Sequence, residues 1–209
     1  MDHRFKSFLV PIVRPLRRVV RRALNTMDRM MHPLRMRRAL RVLDHASRPA
    51  GVYFVCLGNI CRSPYAEARL RRLLSDRTHC VAHIASGGFI LPGRPPPDTA
   101  LRVGSQLGLD LANHRSQLVT ESALREAGLL FAMTAQQVRQ LQRDYGVSHC
   151  LHLGDLDPQF GDRRDIRDPY GHSEEVFHEV YARIDRSLMT LSDRLRDGCR
   201  GPNKSPEPQ

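Results

Sequence analysis

Cys56 and Arg62 enclose five residues in the string VYFVCLGNICRSPYAEARL, and Ser63 follows the arginine directly. The β-forming run Val52 to Cys56 leads into Leu57, Gly58, Asn59, Ile60 and Cys61, after which Ser63 and Pro64 open a helical pattern. A loop between a parallel strand and the next helix lies at the carboxyl edge of the sheet, where open α/β folds bind ligands. Its N–H groups and the helix N-terminus form a cradle for an anion. The Gly-Lys-Ser/Thr ending of a Walker loop is missing. A cysteine at the base of such a cradle, next to an arginine, is favoured as thiolate, which makes Cys56 the candidate nucleophile. The same N–H groups suit the oxygens of a phosphoryl group in flight, and Arg62 can take two of them as a fork. Ser63 is placed to donate to the Cys56 sulfur, Gly58 to supply unusual torsions, and Asn59 to lock the loop by side-chain to backbone hydrogen bonds. Breaking a phosphomonoester also needs an acid for the leaving oxygen. Asp168 in DIRDPYG is the candidate, with Pro169 stiffening it and Tyr170 walling the pocket.

The elements that must bring these residues together alternate in type. Strands are expected at 52–56, 80–86, 129–133 and 150–153, and helices from Ser63, at 98–107, at 121–126 and at 135–144. The final helix is marked by Phe177, Val180, Tyr181, Ile184, Leu188, Leu191 and Leu195 at helical spacing. Residues 87–97 are rich in Gly and Pro and read as loop, as do residues 154–172. Strands separated by helices imply a parallel sheet covered on both faces, so the loops carrying Cys56 and Asp168 share one edge.

CLGNICRSPYAE, followed about 110 residues later by DPYG, resembles the low-molecular-weight protein-tyrosine-phosphatase family. The match runs over roughly Gly51 to Arg196 and includes GLDLANHRSQ. The resemblance implies an α/β, Rossmann-like four-stranded parallel sheet of the phosphotyrosine protein phosphatase I type. It also implies phosphomonoester hydrolysis through a phosphocysteine without metal or other cofactor. Cys56 would be the nucleophile, Arg62 the phosphate binder and Asp168 the general acid, with Leu57 to Ser63 as the phosphate-binding loop. The implied partner is a tyrosine-phosphorylated protein, a tyrosine kinase among them. The chain departs from the family where SAGT is usual, reading Ser86, Gly87, Gly88 and Phe89, and where Asp-Leu is common, reading Gly128 and Leu129. These positions bear on loop shape and substrate fit.

Related activities leave different traces. Arsenate reductases of this fold resemble the same loop but need a further redox cysteine pair a few residues apart. Cys80, Cys150 and Cys199 are far from one another in sequence. Protein-arginine phosphatases carry Thr where this chain has Ile60, and an apolar branched wall suits a phenyl ring better than a guanidinium. A non-catalytic phosphotyrosine-binding module gains nothing from a thiolate and an acid. Cys61 has two readings: the partner of Cys56 in a reversible disulfide, as the resemblance suggests, or a small core residue. His149, Cys150 and His152 straddle a strand without a fourth ligand, which argues against zinc.

The remaining signal is charge. Of the net +11, residues 1–50 contribute +10 and residues 51–209 only +1, so the basicity belongs to an extension and argues against a nucleic-acid-binding body. Leu16, Val19, Val20, Ala23, Leu24, Met27, Met30 and Met31 recur at helical steps between arginines, predicting an amphipathic helix from Pro15 to Pro33 and a second, shorter one around Met36 to Leu43. Residues 45–51 read as a linker. The extension fits attachment to anionic lipid, docking on the body or a partner, or targeting. The expected organisation is a basic extension (1–50), a catalytic domain (51–197) and a disordered tail (198–209). No apolar run is long enough to span a bilayer, and five unevenly spaced cysteines point to a reducing compartment without disulfides. The expected location is the cytoplasm, peripheral to the membrane if lipid is the partner.

Overall fold

Residues Ala50–Val55 form β1, and all six are buried, as a strand covered on both faces must be. The computed structural model, which describes residues 5–46, 50–160 and 163–199, pairs β1 in parallel with β2 (Val81–Gly87) and β3 (Leu129–Ala132), and β3 with β4 (Cys150–His152). The sheet order is β2-β1-β3-β4, which makes β1 central. The helices are α1 (Phe5–His45), α2 (Arg62–Leu73), α3 (Asp98–Gln106), α4 (Glu121–Glu126), α5 (Ala135–Tyr145) and α6 (Glu174–Cys199). Alternation along β1 divides the core between the two faces. Val52 and Phe54 pack with Tyr65 and Leu70 of α2 and Tyr181 and Leu188 of α6. Tyr53 and Val55 pack with Leu124 of α4 and Leu141 of α5. This is the expected α/β sandwich. The Tyr65 and Tyr181 rings stack with centroids 3.7 Å apart, fixing α2 to α6.

Local signals set the helix ends. Thr134 and Gln137 form a capping box at the start of α5, and Gly146 ends it in the left-handed region at φ 66°. The 150–153 strand expected from sequence is shorter, because residues Leu153–Leu156 turn into a 3₁₀ helix.

The extension differs from expectation. Instead of two helices broken at Pro33, α1 is one helix that passes through Pro15 and Pro33. An interior proline costs about 3 kcal/mol, and at Pro33 packing on both sides offsets it. His32, Ala39 and Leu43 are all buried. His32 Nε2–H donates to the Asp157 carbonyl at 2.8 Å, and its ring meets Phe160 at 4.8 Å. Farther along, Arg194 of α6 pairs with Asp44. The C-terminal half of α1 is therefore docked on the body. Its outward side leaves Met27, Met30, Met31 and Leu34 between 44% and 74% exposed.

The cysteine count points away from disulfides, yet Cys80 and Cys199 pair. They are 119 residues apart in sequence, but α6 runs the length of the sheet and brings its last turn to the start of β2, with Cα atoms 5.5 Å apart. The tail expected to be disordered lies, from residue 200 on, outside the described residues. No helix among the described residues is long and apolar enough to cross a membrane.

Asp157, fully buried, anchors the segment beneath α1. Its carboxylate takes the Arg186 fork at 2.8 and 2.9 Å, faces Arg183 at 3.3 Å and accepts from the Gln159 N–H. Burial opposes its ionisation, but the Arg186 and Gln159 hydrogen bonds and the two guanidinium charges outweigh burial and hold its pKa below the ordinary carboxylate value. A depressed folded pKa means that this stabilisation is complete above the unfolded value of about 3.9 and is lost as pH falls through the folded value. We expect Asp157→Asn to cost roughly 3 kcal/mol at pH 7, the low end for breaking a buried pair because Arg186 keeps some water contact. Urea midpoints of variant and parent should converge as pH falls below about 4.

Candidate active site

Where β1 ends, the Cys56 N–H donates to the Gly87 carbonyl at 3.2 Å, continuing the ladder by one residue and setting Cys56 at the carboxyl edge, 2% exposed. The chain then turns through Asn59, whose φ of 49° is left-handed. Asn tolerates this region better than most residues because its short side chain bonds locally. Here that side chain is fully buried and all its bonding groups used. Nδ2 donates to Ser63 Oγ at 2.9 Å and to Ser86 Oγ at 2.8 Å, and Oδ1 accepts from the Gln117 N–H at 2.8 Å. Only the Gln117 contact is of the expected side-chain to backbone kind, the other two going to hydroxyls, and the positive φ belongs to Asn59 and not to Gly58. At Gly58 a Cβ would stand 2.8 Å from Arg94 Nη2, the mobile end of a long side chain. At Gly87, where the chain departs from the resembled pattern, a Cβ would stand 2.3 Å from the Tyr53 hydroxyl. Glycine there makes room for a tyrosine beneath it.

This turn folds donors onto sulfur. Cys56 Sγ accepts from the Asn59 N–H at 3.2 Å and from Ser63 Oγ–H at 3.1 Å. The N–H groups of Leu57, Gly58, Ile60, Cys61 and Arg62 donate to no acceptor among the described residues. Ile60, Cys61 and Arg62 are buried while Leu57 is exposed, and unpaired N–H groups at the turn into a helix are suited to an anion.

Arg62, 3% exposed, opens α2 and crosses to the second loop. Its Nη1 donates to the Ile166 carbonyl at 3.0 Å, its Nη2 donates to the Asp168 carboxylate, and its Nε is buried without a partner. The Asp168 side chain is 43% exposed and accepts from the Tyr170 N–H at 3.3 Å. Residues 106 apart in sequence are therefore in contact. The second loop is pinned at Ile166 N–H to Met133 carbonyl, 2.9 Å, and at Asp165, which accepts from the Ala135 N–H and from His152, each at 2.9 Å.

An open cleft of about 900 Å³ runs from the cradle past Leu57, Arg62 and Asp168 to the start of α5 and on to Asn25 of α1. Ile60, expected as an apolar wall, lies instead in the main core at 8% exposure, because the left-handed turn at Asn59 sends the following side chain inward. Leu57, 44% exposed, lines the cleft. Tyr170 is exposed beside Asp168 and is not among the residues lining the cleft. Cys61 is buried next to Cys56, and burial first, then the negative charges of Cys56 and Asp168, push its thiol well up. His149 and His152 make no site with Cys150. The His152 Nδ1 accepts from the Gly154 N–H, so its Nε2–H donates to Asp165 and both nitrogens are used. Among the described residues, His79, Cys80 and Cys199 have ligand atoms within 4.8 Å, but the two sulfurs are bonded to each other.

Sequence reasoning missed His114 and Arg94, which donate to the Asn59 and Gly58 carbonyls at 2.7 and 3.3 Å. No spacing rule points to a residue that braces a loop from 55 positions away.

Comparisons agree with this geometry. The family model for low molecular weight phosphotyrosine protein phosphatase matches residues 51–200. The probable low molecular weight protein-tyrosine-phosphatase EpsP of Ralstonia solanacearum is 35% identical over 147 residues, covering 69% of this chain and 95% of the relative. The tyrosine phosphatase Wzb of Escherichia coli K30, solved with sulphate, superposes with a TM-score of 0.61 at 30% identity, covering 70% of this chain and 98% of Wzb. A YwlE arginine phosphatase is also similar, at a TM-score of 0.64, 26% identity, and 72% and 98% coverage.

The Asn59 position separates torsion from hydrogen bonding. Asn59→Gly keeps the left-handed turn but orphans the Gln117 N–H, at about 1–3 kcal/mol. Asn59→Ala adds a torsional cost of roughly 1–2 kcal/mol. Denaturant titration should therefore rank the parent above Asn59→Gly and Asn59→Gly above Asn59→Ala.

Proposed function

The chain belongs to the low molecular weight phosphotyrosine protein phosphatase family, and on that premise we propose how its residues hydrolyse phosphotyrosine in proteins. The observation that carries the assignment is the Cys56 sulfur, held by two donors under a row of unpaired N–H groups, with Arg62 and Asp168 across the mouth. Cys56 attacks phosphorus as the thiolate, and the S–P bond forms as the P–O bond to the tyrosyl ring breaks. Asp168 gives its proton to the departing oxygen. The cradle N–H groups and the unpaired Arg62 Nε take up the equatorial oxygens, whose negative charge is greatest in the transition state. A phosphate arriving in the cradle competes with Asp168 for Arg62, which frees the carboxyl group to act as the acid. Water then attacks the phosphocysteine with Asp168 as base, and the leaving thiolate is received by Ser63 and the Asn59 N–H. Leu57 provides apolar contact for the phenyl ring. The substrate is a tyrosine-phosphorylated protein, phosphorylated tyrosine kinases included.

Hydrolysis of p-nitrophenyl phosphate should fall at least about a thousandfold in Cys56→Ser, and vanadate should inhibit the parent competitively. Asp168→Asn should lower kcat/KM about 10²- to 10⁴-fold on phenyl phosphate. Turnover of a phosphoarginine peptide in preference to a phosphotyrosine peptide would overturn the substrate assignment in favour of the arginine phosphatase chemistry of the YwlE relative.

We also propose that the outward face of α1 rests on an anionic lipid surface. The exposed Met27, Met30, Met31 and Leu34 present an apolar patch, and the exposed Arg37, Arg38 and Arg41 on the same side provide the complementary charge. The full chain should sediment with vesicles containing phosphatidylglycerol and stay in solution with phosphatidylcholine alone, the binding weakening in salt. Equal behaviour with both, or a lipid-independent dimer by light scattering that covers this face, defeats the proposal.

A further inference from the structure

The family model begins at residue 51, yet α1 touches the segment that holds the acid loop. Two routes lead from α1 to that loop. In the first, Arg35 stands between Asp28, 3.1 Å away on its own helix, and Asp155, 3.4 Å away in the 3₁₀ turn. Asp155 is buried and takes both arms of the Arg164 fork at 2.9 and 2.7 Å. Burial disfavours the Arg164 cation, but Asp155 and, behind it, Asp28 outweigh burial. In the second route, His32 holds the Asp157 carbonyl at 2.8 Å, and the Asp157 carboxylate holds Arg183 and Arg186. Arg183 then donates to the carbonyls of Arg164 and Asp165 at 3.0 and 2.9 Å. Both routes end at residues 164–165, directly before Ile166, whose carbonyl receives Arg62, and three residues before Asp168. Asn25, two turns farther along α1 from His32, lines the cleft itself.

We propose that α1 is part of the catalytic apparatus, with Arg35 and His32 as positioning residues that hold the acid loop in register with Cys56 and Arg62. This rests on Asp168 being the general acid. A proton donor tolerates little displacement. A proton donor acts only within hydrogen-bond reach of the leaving oxygen, and displacement by about 1 Å can cost 10²-fold. Residues 164–165 lie in neither strand nor helix, and contacts from α5, β4 and α6 reach them at Asp165 and at their carbonyls. Ion pairs and carbonyl contacts set it, and part of that set is anchored in α1.

The test exploits leaving-group acidity in the full-length protein. Phenolate needs the proton from Asp168, whereas p-nitrophenolate departs with little help. For Arg35→Ala and for His32→Ala/Arg35→Ala, kcat/KM on phenyl phosphate should fall about tenfold or more, and on p-nitrophenyl phosphate by less than about threefold. Arg35→Lys should restore the parental ratio of the two substrates. A variant that merely loses folded protein lowers both substrates equally, so equal falls, or no fall on phenyl phosphate, overturn the proposal. Should the double variant fail to fold, Arg35→Ala alone decides, because it leaves the buried His32 contact with Asp157 in place. Asp168→Asn is measured alongside. If it shows no preference between leaving groups, the acid assignment itself fails, and that failure is distinct from a failure confined to α1.

Discussion

A loop that offers its backbone N–H groups to an anion cannot also use them to hold itself together. The rigidity has to come from elsewhere, and here it comes from the carboxamide of Asn59. This one buried side chain ties the cradle to Ser63 at the start of α2, to Ser86 at the end of β2 and to the Gln117 N–H of a distant loop. It also accepts the left-handed turn that brings its own N–H, along with the Ser63 hydroxyl, to the Cys56 sulfur. Bringing donors to the Cys56 sulfur and tying this turn to α2, to β2 and to a distant loop both draw on one residue's bonding capacity.

The acid loop is held on a different principle. It has no regular secondary structure, and its position is set by charged side chains reaching its carbonyl and carboxylate groups. Arg62 and Arg183 do this from two separate parts of the chain, and the loop's own Arg164 reaches out to Asp155. Such contacts are directional but individually modest in net worth, so their arrangement matters more than their sum. The cost of burying Asp155 and Asp157 is offset because each meets a two-armed guanidinium. Phosphate chemistry and loop support draw on the same residue type for the same geometric reason.

Much of this was legible in the residues. The strand-to-helix loop from Cys56 to Ser63, the element order and the sheet that puts this loop and the Asp168 loop on one edge all follow from local spacing and from the rules of parallel sheets. What was not legible depends on contacts between residues far apart in sequence. Pro33 reads as a helix stop because the local cost is visible, while the docking of His32, Ala39 and Leu43 that offsets it is not. The Cys80 to Cys199 pair requires knowing where α6 ends relative to β2. Ile60 was placed in the pocket by its chemistry and in the core by the turn of its neighbour. The structural role of His152 lies in which partners its two nitrogens find.

The disulfide at the last turn of α6 also fixes the pole of the domain at which that turn sits. Cys80 immediately precedes β2, so it stands at the amino edge of the parallel sheet, and Cys199 is fastened there with it. The cradle and the acid loop lie at the opposite, carboxyl edge. A support, label or fused protein attached beyond Cys199 is thus joined at the pole remote from the cleft. Immobilisation through this end would leave the reactive mouth facing outward, whereas coupling through α1 would crowd it at Asn25.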